Sequence, residues 1–231
     1  MSDFSLTTFA AKGKLPQIEN ALAAVAKGET SLGIKAKNGV VIATEKKLAS
    51  PLMDETSLSK TQVLCDHIGA VYSGLGPDFR LLAQKSRQLV QKYFVKYYEP
   101  VGVPTLCRET SELVQEKTQA GGYRPFGVSV LVAGYDESGP HLTQIDPSGA
   151  YYNWKATAIG KGSKNAKVFL EKRYKADMEI EDAIHTALLT LKENFEGEMS
   201  SSNIEVGVVR EDKRFQVLTA AQIKEYLDEL N

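Results

Sequence analysis

From Leu15 onward the apolar positions recur at helical spacing, at Leu15, Ile18, Leu22 and Val25. Pro16 suits a first helical turn and Gly28 is a natural stop, so the pattern predicts a helix over 15–28. The period then changes. Leu32, Ile34 and Ala36 alternate with Ser31, Gly33, Lys35 and Lys37, the mark of a strand with one covered face. Asn38-Gly39 predicts a tight type I′ hairpin, since both residues tolerate positive φ. Val40 to Ala43 returns as an unbroken apolar run, which suits a strand covered on both faces.

Further along, Gln62–Asp66 and Ile68–Ser73 read as short strands before a helix launched at Pro77. Phe79, Leu82, Ser86, Leu89 and Tyr93 mark its buried stripe, with Lys85, Arg87 and Lys92 on the solvent side. A second helix follows Pro104 and stops at Gly121-Gly122. Gly127–Tyr135 then pairs back through Leu142 to Ile145, and Ala150–Trp154 with Ala156–Ile159 reads as a second hairpin. Two helices follow, over 163–174 and from Ile180 to Phe195; a hairpin of Ile204–Val209 with Phe215–Leu218 comes next. Thr219 with Gln222 is a capping box opening a last helix. Strands that follow one another closely pair as hairpins, so the sheets should be mainly antiparallel. Two such sheets, each needing a cover, predict an α+β fold: a four-layer α/β/β/α sandwich. With no linker or low-complexity segment, 1–231 reads as one domain with a short tail over 1–8.

Composition narrows the function classes. A formal charge of −1 on 231 residues gives no basic field for nucleic acid or a membrane surface. Cys65 and Cys107 sit in apolar segments and read as free thiols of an intracellular protein; with no leader or spanning segment, cytoplasm and nucleus are expected. His67, His141 and His185 lie far apart and share no ligand spacing with either cysteine, so neither a metal nor another cofactor is expected. The S-x-x-K of Ser57–Lys60 and the glycines at 160 and 162 lack the rest of their catalytic motifs and read as structural.

More specific is a set of runs: the opening F-S-L-T-T-F from Phe4, G-K-L-P-Q-I-E-N-A-L-A-A-V from Gly13, and G-G-Y-R-P-F-G-V-S from Gly121. Asp146-Pro147-Ser148-Gly149, W-K-A-T-A-I-G from Trp154 and F-L-E-K-R-Y from Phe169 follow at the expected distances. Together they resemble the α-type subunits of the proteasome core particle. The resemblance implies the fold of the N-terminal-nucleophile hydrolases without their chemistry. In the sister β-type subunits the first strand begins with a freed threonine whose own α-amine is the base. Here that position falls at about Glu29, behind an intact helix. The resemblance therefore implies a non-catalytic subunit that scaffolds the barrel, gates substrate entry and docks regulatory caps in ubiquitin-dependent protein degradation. Its partners would be the other α subunits of a seven-membered ring, β-ring subunits, caps (an ATPase ring or other activators) and unfolded protein substrates. The rival reading is a β-type enzyme cut to expose Thr30.

The resemblance also assigns residues. Lys60 would line a cap-docking pocket between adjacent α subunits, with Gly74 and Leu15 nearby, and capture a terminal carboxylate. The gate in such subunits is held open by a tail tyrosine–aspartate pair, a proline before the first helix and a tyrosine within it. The matching positions here read Ser2, Asp3, Ala11 and Asn20, of which only the aspartate fits. This copy is expected to contribute little to the open gate.

Overall fold

The computed structural model describes residues 7–47, 50, 52–195 and 197–230. Helix α1 (Pro16–Ala26) leads into β1 (Ser31–Lys35) and β2 (Gly39–Glu45), then, past a 3-10 turn, β3 (Thr61–Cys65) and β4 (Ile68–Gly74). Helices α2 (Gly76–Tyr97) and α3 (Val103–Gln119) precede β5 (Val128–Asp136), β6 (Gly139–Ile145), β7 (Tyr151–Asn153) and β8 (Ala156–Ile159). Then come α4 (Ser163–Arg173), α5 (Ile180–Asn194), β9 (Ile204–Arg210), β10 (Phe215–Val217) and α6 (Ala220–Glu229).

The strands form two five-stranded sheets, ordered β10-β9-β2-β1-β8 and β3-β4-β5-β6-β7, and the pairings are antiparallel. Strand alternation sorts their side chains into three apolar layers. Val41 and Ala43 of β2 point to a layer shared with Ala183, Ala187 and Leu191 of α5. Val40 and Ile42 of the same strand meet Val71, Leu131 and Leu142 of the other sheet. Phe79 and Leu82 of α2, with Leu106 and Val114 of α3, cover the outer face of that second sheet. The unbroken apolar run in β2 is thus two interleaved faces, both covered, and the α/β/β/α sandwich follows.

Three local expectations are corrected. First, Asn38-Gly39 is not a type I′ turn, because neither residue has positive φ. Asn38 Oδ1 instead accepts the Ile180 N–H at 2.9 Å, satisfying one orphan donor at the start of α5. Glycine is needed at 39 for another reason: a Cβ there would fall 2.4 Å from the Val209 carbonyl oxygen. Second, β7 and β8 do not pair. β7 lies on β6 at the edge of one sheet, whereas β8 crosses to pair with β1 in the other. The two-residue link Trp154-Lys155 carries the chain from one sheet to the other, where β8 finds a partner in β1. Third, α1 buries Ala21 and Val25 and leaves Leu22 42% exposed. The small side chains let this helix sit close, so the face chosen by size wins over the face chosen by hydropathy. His185 bonds Glu229 on α6 at 2.8 Å, while Glu181 one turn before it is taken by Arg210 and Tyr226.

Ile42 lies fully buried between the two sheets. Ile42→Ala should lower stability by about 2–5 kcal/mol, because the sheets cannot both collapse onto the cavity. Leu52→Ala, at a side chain 96% exposed, should stay within about 0.5 kcal/mol. Urea denaturation of the purified chain checks both.

Candidate functional site

Any N-terminal nucleophile would have to sit where α1 hands over to β1, and the backbone there is packed tight. A Cβ on Gly28 would lie 2.3 Å from the Gly74 nitrogen, and one on Gly160 would lie 2.6 Å from the Glu29 carbonyl oxygen. Only glycine permits that approach. Ser73 Oγ donates to the Val25 carbonyl at 3.1 Å and Lys161 N–H donates to the Gly28 carbonyl at 2.9 Å, so the handover is bonded on both sides. Thr30 beyond it is 1% exposed; its Oγ1 accepts the Gly162 N–H at 3.2 Å and its carbonyl accepts the Glu45 N–H at 3.0 Å. No hydroxyl here is open to a substrate.

Behind this junction lies a buried group of charges. Glu205 Oε2 accepts the backbone N–H groups of Lys60 and Thr61 at 2.9 and 2.8 Å, and its other oxygen lies 3.7 Å from Lys46 Nζ. The Lys60 side chain is inside: the residue is 5% exposed, its Nζ has no hydrogen-bond partner among the described residues, and it stands 5.3 Å above the Tyr72 ring. Burial pushes its ammonium down to about 8, against the opposing pull of Glu29, Glu45 and Glu205. Glu45 is 7% exposed, and one of its oxygens is buried without a hydrogen-bond partner among the described residues. Burial first, then the neighbouring Glu29 carboxyl, raises Glu45 to about 7. A cavity of about 310 Å³ adjoins the group, with Glu29, Glu45, Lys46, Lys47 and Lys161 on its wall. Among the described residues no cluster of three or more His, Cys, Asp or Glu side chains is arranged to hold a metal ion.

A second anchor fixes the loop before β5. Arg124 donates to both oxygens of Asp78, at 2.6 and 2.8 Å, and the Gly127 N–H donates to the same carboxylate at 2.9 Å. Partial burial would push the Asp78 carboxyl up, but the guanidinium and that N–H outweigh it and hold it below the usual range.

Residues 25–209 match the family model described as proteasome subunit. The chain is 62% identical over 227 residues to proteasome subunit alpha type-2 of Oryza sativa subsp. indica, covering 98% of this chain and 97% of that relative. It is 63% identical to alpha type-2-A of Arabidopsis thaliana, with the same coverage, and 56% identical to alpha type-2 of Dictyostelium discoideum over 97% of this chain and 96% of that one. The chain belongs to the proteasome subunit family. These relatives are of the α type, and the chain carries none of the threonine chemistry of a proteasome protease: it is a non-catalytic subunit that assembles with other proteasome subunits. The reading as an enzyme cut at Thr30 is not favoured, since that residue is sealed behind the glycine junction.

The residues assigned to cap docking do not converge within one proteasome subunit. The β3–β4 register sets Thr61 opposite Val71 and so Lys60 level with Tyr72, about 7 Å along the strand from Gly74. Leu15, half-buried, is the N-cap of α1, roughly 16 Å along the helix from the end that packs on Gly74. Ser2 and Asp3 lie outside the described residues. Ala11 and Asn20 are both exposed, Ala11 in the turn closed by Gly13 N–H to the Ala10 carbonyl at 2.8 Å and Asn20 on the outer face of α1.

The Glu29–Glu45–Glu205 cluster around Lys60 was not singled out from the sequence. A signal existed: Glu45 closes an otherwise apolar strand, and Glu205 interrupts the apolar run of β9.

Glu45 binds its proton more tightly folded than unfolded, so its contribution to stability is complete below pH 4.5 and is lost as pH rises to about 7. Lys60 behaves oppositely, its cost easing as pH rises from about 8 to 10.5. Thermal denaturation across pH should therefore show Tm falling from pH 4.5 to 7 in the parent and a flatter profile there in Glu45→Gln.

Proposed function

We propose that this chain occupies one place in the seven-membered α ring of the proteasome core particle, stacked on a ring of β subunits. There it scaffolds the barrel, gates entry of unfolded protein substrates and docks regulatory caps, in the cytoplasm and nucleus, in ubiquitin-dependent degradation. The observation that carries the reading is the sealed junction at Gly28: the position of the nucleophile is an internal Glu29, its backbone packed against Gly160 and continuous with α1. The half-buried Cys65 and buried Cys107, both free thiols, support an intracellular site of action.

Cap docking works through the carboxylate that ends a cap subunit's chain. Lys60 supplies a buried ammonium without a hydrogen-bond partner among the described residues. Gly74 comes from the same subunit, and the distance of Leu15 fits a pocket completed by the neighbouring subunit. The gate differs from the pattern of its family. Ala11 occupies the second position of its turn, where proline would restrict φ, and Asn20 offers no aromatic surface on which a tail could pack. Neither Ala11 nor Asn20 offers what the family pattern uses at those positions to hold a tail upright.

The test is cap-stimulated hydrolysis of a small fluorogenic peptide by assembled core particles. Lys60→Ala should weaken cap binding by about 1–3 kcal/mol at this pocket, read as a higher cap concentration for half-stimulation. An unchanged concentration would refute the docking role. In the same assay, Ala11→Pro with Asn20→Tyr should raise the stimulated rate, because a gate biased open needs less from the cap; an equal or lower rate with assembly intact would refute the gating account.

A further inference from the structure

Helix α4 carries Lys164, Lys167, Lys172 and Arg173 against Glu171 alone, on a chain whose formal charge is −1. Two of these cations are engaged with rings: Lys167 Nζ stands 5.0 Å above Trp154, and the Arg173 guanidinium 5.2 Å above Phe169. Lys164 and Lys172 are exposed and make no ion pair or hydrogen bond among the described residues. A solvated helix face gains by setting an acid four residues from a lysine. Here the residue four after Lys164 and four before Lys172 is Val168, 51% exposed. Four before Arg173 stands Phe169. Cations flank apolar side chains in both rows, and no acid stands between them.

Buried Ala166 and Leu170 hold α4 to the sandwich, so this face turns outward. Val168 is on the wall of a surface groove of about 320 Å³ between α4 and the end of α5, with Asn165, Phe169, Lys172, Glu193 and Asn194. Asn194 donates to the Thr190 carbonyl at 3.0 Å, whereas the Asn165 amide has no partner among the described residues. Lys164, Val168 and Lys172 follow one another at about 6 Å per step along the helix. In an extended chain, alternate side chains share a face at about 6.6–6.8 Å. The two ladders match. A segment with acid, apolar and acid at every second residue sets a carboxylate at each lysine and an apolar side chain over Val168 and Phe169. The Asn165 amide can then bond its backbone. A nucleic acid fits less well, since it would bring phosphate toward Glu193 and offer no aliphatic group to cover Val168.

We propose that the outer face of α4, with the groove it shares with α5, docks an extended acidic segment of a protein partner, of the pattern acid–x–apolar–x–acid. The surface lies outside the β10-β9-β2-β1-β8 sheet, on the α5 side, and does not include Lys60. It therefore stands or falls apart from the cap-docking reading.

The experiment is fluorescence anisotropy with assembled core particles containing this chain. The probe is a glycine-flanked peptide reading Glu-Ser-Leu-Ser-Glu, with a fluorophore at its N-terminus. Its C-terminus is amidated, so that no terminal carboxylate is offered to Lys60. At low ionic strength the parent should bind it, and Lys164→Glu with Lys172→Glu should weaken binding roughly ten-fold, as two attractions become two repulsions. Val168→Ser should weaken it roughly three-fold, and so should moving the leucine outside the two glutamates of the peptide. The substituted side chains are exposed, and unchanged hydrolysis of a small fluorogenic peptide shows that each variant particle is assembled. No saturable binding by the parent, or equal binding by parent and two-lysine variant, would overturn the inference. If the lysines matter but Val168→Ser or the displaced leucine makes no difference, the face attracts polyanions in general, and the inference is likewise overturned.

Discussion

The contact of Gly28 with Gly74 governs much of what this chain can do. Two backbones meet with no room for a Cβ between them, and α1 is thereby held on the sandwich at the point where β1 begins. A related enzyme needs that point open, with a free amine and a hydroxyl side by side. Here the same place is filled by continuous backbone, and the hydroxyl of Thr30 serves as a structural acceptor for Gly162. Loss of chemistry and gain of a firmly seated helix are one event in structural terms. The helix that blocks the site is also the element whose exposed face, with Leu22, Ala23 and Ala26, is available for contact with neighbours.

Filling the junction did not empty the interior behind it of charge. Lys60 remains buried with three carboxylates around it, an arrangement that is costly unless protons and hydrogen bonds are shared. Glu205 meets its share through backbone N–H groups. Glu45 meets its share by holding a proton more tightly in its buried place, which leaves it sensitive to pH near neutrality. An apolar replacement would pack there at lower cost. A polar set kept beside an open cavity instead gives the subunit something to offer an anionic partner.

The layers of the fold were legible because period reports burial directly. Val40–Ala43 read as doubly covered, and the capping box at Thr219 and Gln222 forms as its spacing requires. What the sequence concealed were choices made by distant partners. Asn38 serves α5, some 140 residues on, so the β1–β2 hairpin forms without the type I′ turn that its Asn-Gly pair favours. Strand β8 prefers β1 to its neighbour β7, a decision taken by the sheet and not by the link. In the site, Lys60 and Gly74 were named from their motif, but nothing local to Lys60 says that it is buried. That depends on Glu45 and Glu205, which arrive from two other strands. Leu15 is distant from both because a pocket between subunits is not written in one chain.

The central claim is that α1 stays joined to β1 through Gly28, so that no threonine is freed. Liberating Thr30 would require cutting a backbone packed against Gly74 and Gly160. The most direct measurement is N-terminal sequencing, with intact mass, of this chain taken from purified, peptide-hydrolysing core particles. The account predicts a chain that still carries α1 and the residues through Glu29. A chain whose first residue is Thr30 would contradict it.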